Sequence, residues 1–187
     1  MRTFIAIELS DSIRSTLARI QSHLKYSGAD VKWVEEKNIH LTLKFLGEIT
    51  EEKSKKIKAI LDEISMSTKA FDINIKDIGA FPKIDHPRVI WAGLDKGAIE
   101  SKVIAEKIDE ELSKIGFAKE SRPFAAHLTL GRVRSSKNKE ALKEKMLNYR
   151  LPTTDYRLII DHITLFQSTL TPKGSIYTKL HESKFSV

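Results

Sequence analysis

Cysteine is absent from this chain of 187 residues, and the absence limits the chemistry that the protein can use. Without thiols there are no disulfides and no zinc sites built from thiolates. No apolar run approaches the ~20 residues that span a bilayer. The apolar run before Glu8 is also too short for the core of a signal peptide. The sequence therefore predicts a cytoplasmic protein.

Two further motifs are missing. There is no glycine-rich phosphate loop, so nothing in the sequence supports the use of ATP. There is also no HExxH-like helical spacing of histidines, which argues against a metal site together with the lack of thiolates. We therefore expect neither a metal nor another cofactor.

The charge of the chain is unbalanced. Its net charge is +7, its isoelectric point is about 9.5, and 30% of its residues are charged. Such an excess permits attraction to a polyanion such as RNA. Lysine- and glutamate-rich surfaces are equally typical of proteins that are stable at high temperature. The charge alone does not choose between these explanations.

One tetrapeptide, His-Leu-Thr-Leu, occurs twice, at residues 40–43 and 127–130. Successive side chains of a strand point to opposite faces, so the histidine and threonine of each copy share a face, ~7 Å apart. The leucines then point into the core. A third, weaker match begins at His162 but lacks the glycine that follows the other two. We therefore interpret His162 as a strand surface residue.

The hydrophobic pattern alternates between strands and helices along the whole chain. Helices are predicted from Ser10 to Gly28, after Thr50, and over residues 97–115 and 137–148. Strands are predicted over residues 2–9, 31–34, 39–46, 71–82, 88–94, 125–133, 155–170 and 175–183, with a turn at 171–174. The order in the first half is much the same as in the second, and each repeated motif is followed by a helix.

This order predicts an α+β fold with an internal duplication. We expect one two-lobed domain over residues 1–187, with pseudo-twofold symmetry. Its two antiparallel sheets would face a central cleft, with helices on the outside. A duplicated chain supplies both halves of such a site, so a monomer is the simplest expectation.

Two imidazoles and two hydroxyls that line one groove suit in-line attack at phosphorus. Opening a cyclic phosphodiester needs a base for the attacking water and an acid for the leaving ribose oxygen. His40 and His127 can serve both roles near neutral pH. Thr42 and Thr129 can donate hydrogen bonds to the phosphate oxygens.

Three further residues are candidates for binding substrate. Lys44 continues the face of His40 by strict alternation. Arg132 would share the face of His127 only if a bulge at Gly131 re-aimed it. Phe124 either stacks on a terminal base of single-stranded RNA or packs in the core at the start of a strand. For Trp33 and Trp91 we favour the core.

These motifs resemble those of the two-histidine phosphoesterases, and in particular of the RNA 2′,3′-cyclic phosphodiesterases that were once called 2′-5′ RNA ligases. Matching segments run nearly end to end: RTFIAIELS, VKWVEEKNIHLTLKFLGEI, PRVIWAGL, RPFAAHLTLGRV and ITLFQSTLTPKGSIYTKL. The resemblance implies hydrolysis of a terminal 2′,3′-cyclic phosphate to a 2′-phosphate, without a metal. By the same resemblance His40 is the general acid, His127 is the base, and Thr42, Thr129 and Arg132 bind the phosphate.

The partner implied is RNA with cyclic phosphate ends, such as transfer-RNA halves, and weak 2′-5′ joining would be the reverse reaction. Two alternatives stay open at this point. One is an RNA- or nucleotide-binding module with a vestigial site. The other is a phosphodiesterase that acts on a small cyclic or 2′-5′ linked nucleotide.

Overall fold

The computed structural model describes residues 1–151, 158–172 and 174–186, and within these ranges it contains four α-helices. The Ser10 hydroxyl accepts a hydrogen bond from the Ile13 amide at 3.4 Å, and Thr50 caps the second helix in the same way. Gly116 follows the third helix with a φ of 89°, a conformation that glycine adopts without strain. The helices are α1 (Asp11–Lys25), α2 (Glu51–Met66), α3 (Ala98–Ser113) and α4 (Lys139–Asn148).

The strands of the described residues form two larger sheets and a short ribbon, and all their pairings are antiparallel. They are β1 (Arg2–Ile7), β2 (Val31–Trp33), β3 (Leu41–Glu48), β4 (Phe71–Ile73), β5 (Ile75–Lys83), β6 (His86–Leu94), β7 (His127–Val133), β8 (Leu158–Ile160), β9 (His162–Thr171) and β10 (Gly174–Lys184). Sheet A has the order β10-β9-β1-β3, sheet B has the order β2-β7-β6-β5, and β4 pairs with β8.

Each larger sheet is associated with two helices. Helix α2 contacts β9 and β10 of sheet A, while α3 contacts β3 of the same sheet and also α2. Helix α4 contacts β5 of sheet B, and α1 contacts α4. The leucines of both repeated motifs are buried, as their alternation predicts. The predicted α+β architecture with antiparallel sheets is confirmed.

Each larger sheet combines strands from distant parts of the chain. Sheet A combines β1 and β3 with the last two strands, and sheet B takes β2 from the first part of the chain. The buried amide of Gln21 holds β2 in place by donating hydrogen bonds to the carbonyls of Val34 and Leu130, each at 2.8 Å. The Val34 amide also donates to the Leu130 carbonyl at 2.9 Å. The first quarter of the chain is thus tied to the strand that carries the second motif.

Two of the predicted long strands are interrupted. The segment 71–82 divides at Asn74 into β4 and β5, because the Asn74 carbonyl accepts a hydrogen bond from the Asp95 amide instead of continuing one ladder. The segment 155–170 divides at Asp161, whose carbonyl accepts from the Phe185 amide. Residues 155–157 of that prediction, and residue 173 of the predicted turn, lie outside the described residues.

A bulge interrupts the alternation of β3 directly after the first motif. Ala6 of β1 pairs with Thr42 and Ile5 pairs with Lys44, so Leu43 is an extra residue in β3. Leu43 and Lys44 are both buried, and Phe45 is the next exposed residue. The face that carries Thr42 therefore continues at Phe45 instead of Lys44.

The same bulge occurs in β7 after the second motif. Trp91 of β6 pairs with Thr129 and Ile90 pairs with Gly131, so Leu130 is the extra residue. Leu130 and Gly131 are both buried, whereas Arg132 is exposed. The two motif strands thus share a distortion at the same offset from their histidines, which the tetrapeptide alone does not reveal.

Among the described residues, none of the helices combines the length and the apolar character that crossing a bilayer requires.

Candidate active site

His40 lies immediately before β3, and its ring is anchored through one nitrogen. Nδ1 is 2.8 Å from the backbone carbonyl oxygen of Asn38. A carbonyl oxygen only accepts, so Nδ1 must donate, and a neutral ring then has its lone pair on Nε2. Nε2 is therefore the atom that is free to exchange a proton.

His127, the first residue of β7, is anchored in the same way. Its Nδ1 is 2.7 Å from the carbonyl oxygen of Ala125, which again lies two residues earlier in the chain. The two motifs thus agree in the hydrogen bond that fixes each ring, in addition to their letters. In both histidines Nδ1 is thus engaged by a backbone carbonyl, which leaves Nε2 as the nitrogen that can exchange a proton.

Aromatic side chains surround both imidazoles. The His40 ring stacks on Phe4 with centroids 4.7 Å apart, and the edge of Tyr177 contacts it at 5.3 Å. The His127 ring meets Phe81 at 5.0 Å in a T-shaped arrangement. These contacts restrict ring rotation, which keeps each Nε2 in a fixed direction.

Burial lowers the pKa of His40 from its usual 6.5 to about 4. The hydrogen bond to Asn38 and the charge of Glu8 raise the pKa, while the charge of Arg14 lowers it further, and the loss of hydration outweighs the rest. The resting protein therefore holds His40 neutral near pH 7. A neutral imidazole accepts protons, so in the absence of substrate the site favours the opposite of the acid role that the resemblance implies.

A pocket of about 370 Å³ opens beside His40 and carries several charged groups. Arg14 of α1, Lys37, and Lys179 of β10 line it together with Glu8. The buried Nε of Arg14 has no hydrogen-bond partner among the described residues. Three cations near a single carboxylate make the pocket suitable for an anion.

Glu8 is held ionised in this pocket. Burial raises the pKa of Glu8, but hydrogen bonds from Lys179, Thr164 and His162 and the charge of Lys179 bring it below its ordinary value. The Lys179 ammonium lies 2.6 Å from a Glu8 oxygen. Glu8 therefore offsets part of the positive charge close to His40.

The two motif threonines are half-buried and lie on the faces predicted for them. Thr42 pairs with Ala6, which belongs to the small aromatic cluster on one face of sheet A. Thr129 pairs with Trp91 of sheet B. Their assignment as phosphate ligands stays a prediction.

Lys44 is not available to bind substrate, and that prediction is wrong. Its side chain is only 3% exposed, and Nζ lies 2.5 Å from a carboxylate oxygen of Asp109 and 2.9 Å from the carbonyl of Ala118. The bulge at Leu43 turns Lys44 toward α3. The prediction for Lys44 assumed regular alternation along β3, and the bulge interrupts that alternation.

Arg132 lies on the face of β7 that was predicted for it if a bulge interrupts the strand. The bulge begins at Leu130, one residue earlier than proposed, and directs Gly131 to the core. A Cβ on Gly131 would approach Val31 to 2.6 Å, so this position cannot hold a larger residue without movement. Arg132 is exposed on the side of Thr129, and its contact with phosphate remains a prediction.

Phe124 and the two tryptophans complete the predicted set. Phe124 is half-buried in the loop before β7 and packs against the main hydrophobic core, which favours the structural interpretation over base stacking. Trp33 also packs against that core. Trp91 is half-buried, and its ring lies over Gly79 and beside Phe81. A core role for Trp91 stays a prediction.

His162 lies in a polar cluster at the start of β9. Its Nδ1 is 2.6 Å from a carboxylate oxygen of Asp161, and its Nε2 is 3.4 Å from Glu8. Ligand atoms of Glu8, His162 and Glu182 lie within 4.8 Å of one another, close enough to hold a metal ion. The Lys179 ammonium group contacts the carboxylates of both Glu8 and Glu182. It therefore already supplies the positive charge that a metal ion would supply there.

The path of the chain explains how the two motifs approach each other. The Val34 amide bonds to the Leu130 carbonyl, so β2 runs antiparallel to β7 toward His127. Six residues later the chain reaches His40 and enters β3. Cα atoms of β3 and β7 also come within 8 Å of each other. This arrangement supports a groove that both motif strands border.

Four residues of the pocket beside His40 were not predicted from the sequence: Glu8, Arg14, Tyr177 and Lys179. Arg14 is a polar residue on a helix, and nothing in its spacing distinguishes it from a solvated side chain. The other three become neighbours of His40 only because β1, β9 and β10 adjoin in sheet A. The predicted turn at 171–174 implies that β10 pairs with β9. This pairing is the signal that could have identified Tyr177 and Lys179.

Comparison with known proteins finds similarity over almost the whole chain. The family model described as LigT like Phosphoesterase matches residues 7–91 and 96–177. An RNA 2′,3′-cyclic phosphodiesterase of Methanocaldococcus jannaschii is 40% identical over 183 residues, which cover 97% of this chain and 99% of that protein.

Two crystal structures have a similar fold. A protein of Thermus thermophilus aligns with a TM-score of 0.82 at 25% identity, covering 99% of this chain and 98% of that one. Escherichia coli LigT in its apo form aligns with a TM-score of 0.80 at 25% identity, covering 100% and 98%.

The lowered pKa of His40 predicts a loss of stability in acid. Between pH 6.5 and pH 4 the unfolded chain binds a proton at residue 40 that the folded protein does not. The His40 contribution is therefore complete above pH 6.5, and about 3 kcal/mol of unfolding free energy is lost as the pH falls to 4. Urea unfolding of the wild type and of His40→Phe across this range measures the difference. Parallel curves for the two proteins would contradict the lowered pKa.

The burial of Lys44 predicts a structural and not a catalytic role. Replacement Lys44→Met removes the ammonium partner of Asp109, which keeps the hydrogen bond from the Glu120 amide. It should lower the unfolding free energy by about 2–3 kcal/mol, a value reduced for the partial exposure of Asp109. Lys114→Met, which removes an exposed ion pair with Glu111, should change it by less than about 1 kcal/mol. A Lys44→Met protein with wild-type stability and lost activity would contradict this assignment.

Proposed function

Since this chain belongs to the family of LigT like phosphoesterases, we propose that it hydrolyses the terminal 2′,3′-cyclic phosphate of RNA to a 2′-phosphate. The observation that carries the proposal is the shared anchoring of His40 and His127 through Nδ1, which leaves both Nε2 atoms for proton transfer. The name and the near-complete coverage of the Methanocaldococcus jannaschii relative support the same activity.

The proposed reaction is an in-line displacement at phosphorus. Nε2 of His127 takes a proton from water while the water oxygen bonds to phosphorus. The bond from phosphorus to the ribose 3′ oxygen breaks, and Nε2 of His40 donates its proton to that oxygen. The products are a 2′-phosphate monoester and a free 3′ hydroxyl, so one water is consumed and the proton balance closes.

The phosphate is held by hydrogen bonds and charge. Thr42 and Thr129 donate to the non-bridging oxygens, and Arg132 supplies a cation from the face of β7. Arg14, which lines the pocket beside His40, adds a second cation that sequence analysis did not predict. No step in this scheme requires a metal.

For His40 to act as the acid, its ring must become protonated when the substrate binds. A cyclic phosphate carries one negative charge, and its placement beside Nε2 stabilises the imidazolium against the cost of burial. The pKa of about 4 in the free protein then rises when the phosphate binds. This coupling reconciles the acid role with a histidine that is neutral at rest.

We also propose that the substrates are RNA ends such as transfer-RNA halves, and that the reversed reaction joins such ends weakly through 2′-5′ bonds. Both motifs lie on one chain, which supports a monomer as the active species. The cytoplasm is the proposed location.

The two histidines should be individually essential. His40→Ala and His127→Ala should each lower kcat by about 10²- to 10⁴-fold on an oligonucleotide with a 2′,3′-cyclic phosphate end. The exposed His86 provides a control, since His86→Ala should leave kcat unchanged. Phosphorus NMR should identify the product as a 2′-phosphate, with the same rate in the presence of a chelator. A 3′-phosphate product, or full activity of either variant, would refute the mechanism.

Phosphate binding should raise the pKa of His40 from about 4 by at least ~1 unit, because an anion next to Nε2 favours the charged ring. Nitrogen-15 NMR titration of the imidazole, with and without a nucleoside 2′-phosphate, measures this shift. A pKa that stays near 4 in the complex would assign the base role to His40.

A further inference from the structure

Two aromatic side chains of sheet B support the His127 ring from one side. Phe81 of β5 meets the imidazole at 5.0 Å, with the two ring planes 88° apart. Trp91 of β6 in turn packs against Phe81, with ring centroids 5.4 Å apart. Both aromatic residues are half-buried, as is His127 itself. The position of Phe81, and through it that of Trp91, therefore bears directly on the position of the imidazole.

Gly79 makes room for the Trp91 ring. The two residues are cross-strand partners on β5 and β6, and Thr129 of β7 is the partner of Trp91 on its other side. A Cβ on Gly79 would overlap the ring atoms Cζ2 and Cη2, so the indole extends over β5 and not over Thr129. A Cβ on Gly93 would also come within 3.2 Å of the ring. Neither glycine has a positive φ, so the indole and not the backbone accounts for glycine at residue 79.

Packing, and not hydrogen bonding, fixes the position of this indole. Its Nε1 is buried and has no hydrogen-bond partner among the described residues. A buried donor without a partner is unfavourable, so other contacts must secure the ring. Those contacts include the surface above Gly79 and the ring of Phe81. A side chain added at residue 79 would displace the indole, and Phe81 would lose the support that keeps it against His127.

We propose that Phe81 and Trp91, seated on Gly79, are positioning residues that hold the His127 ring with Nε2 directed into the groove. The inference rests on the proposed function, in which His127 is the base. The hydrogen bond from Nδ1 to the Ala125 carbonyl fixes one edge of the imidazole, and Phe81 limits the remaining tilt by packing against the ring. Proton transfer needs Nε2 within about 2.6–3.2 Å of the attacking water. A misplacement of ~1 Å can lower a rate by about 10²-fold.

Removal of the Phe81 ring should slow the chemical step without weakening substrate binding. Phe81→Leu should lower kcat about tenfold on an oligonucleotide with a 2′,3′-cyclic phosphate end. KM should stay unchanged, because other groups hold the phosphate. Phe81→Tyr keeps the ring and should retain kcat within about twofold. Phe71→Leu is the matched control, since Phe71 is half-buried on β4 and packs on Phe185, and it should leave kcat unchanged.

A double-mutant cycle tests whether Gly79 acts through the indole. Gly79→Ala should lower kcat about tenfold while Trp91 is present, because the added methyl displaces its ring. The atoms that this methyl would meet belong to the outer ring of the indole, which a phenylalanine side chain does not reach. In the Trp91→Phe background, Gly79→Ala should therefore change kcat by less than about twofold. Equal losses in both backgrounds would overturn the role assigned to Gly79 and Trp91.

Proton NMR of the His127 imidazole gives a readout that does not depend on turnover, because an aromatic ring 5.0 Å away shifts its resonances. These resonances should move in Phe81→Leu and in Gly79→Ala, and they should stay in place in Phe71→Leu. Unchanged resonances in Phe81→Leu, or a rise in KM without a fall in kcat, would overturn the proposal while the proposed function stands. A wild type that does not hydrolyse the substrate would instead refute the proposed function, and with it the catalytic purpose of this positioning.

Discussion

The pairing of β2 with β7 is the constraint on which the arrangement of the site depends. Gln21, buried on α1, donates to carbonyls on both segments, and the Val34 amide completes the connection to Leu130. This pairing carries the chain toward His127 just before it reaches His40. The two motif strands belong to separate sheets, and this pairing helps to fix their relation. Their juxtaposition is therefore a consequence of backbone hydrogen bonds that lie behind the site.

The duplicated motifs differ in their surroundings, and the surroundings of the first motif change the pKa of His40. Each ring donates a hydrogen bond through Nδ1 to the carbonyl oxygen two residues earlier in the chain, so the two rings are anchored in the same way. His40, however, lies among Phe4, Tyr177 and Arg14, where burial keeps it neutral. In the proposed reaction, an anionic substrate would reverse that preference, because its charge would replace the lost hydration. In an otherwise symmetric scaffold, the neighbours of His40 thus lower the pKa of that ring.

The sequence predicts the local features well and the long-range ones less well. Ser10 and Thr50 cap helices as expected, and the motif leucines are buried, because capping and alternation depend on neighbours in the chain. The failure at Lys44 comes from a bulge, which depends on the partner strand. Glu8 and Lys179 were missed because their proximity to His40 follows from the order of strands in sheet A, and no local pattern encodes that order.

The central claim is that the imidazoles of His40 and His127 act on the same phosphorus atom, and a double-mutant cycle tests it most directly. Single-turnover rates on an oligonucleotide with a cyclic phosphate end would be measured for the wild type, both alanine variants and the double variant. Residues that act as a unit are non-additive, so the double variant should be about as slow as the slower single variant. Losses that multiply in the double variant would mean that the two rings contribute independently.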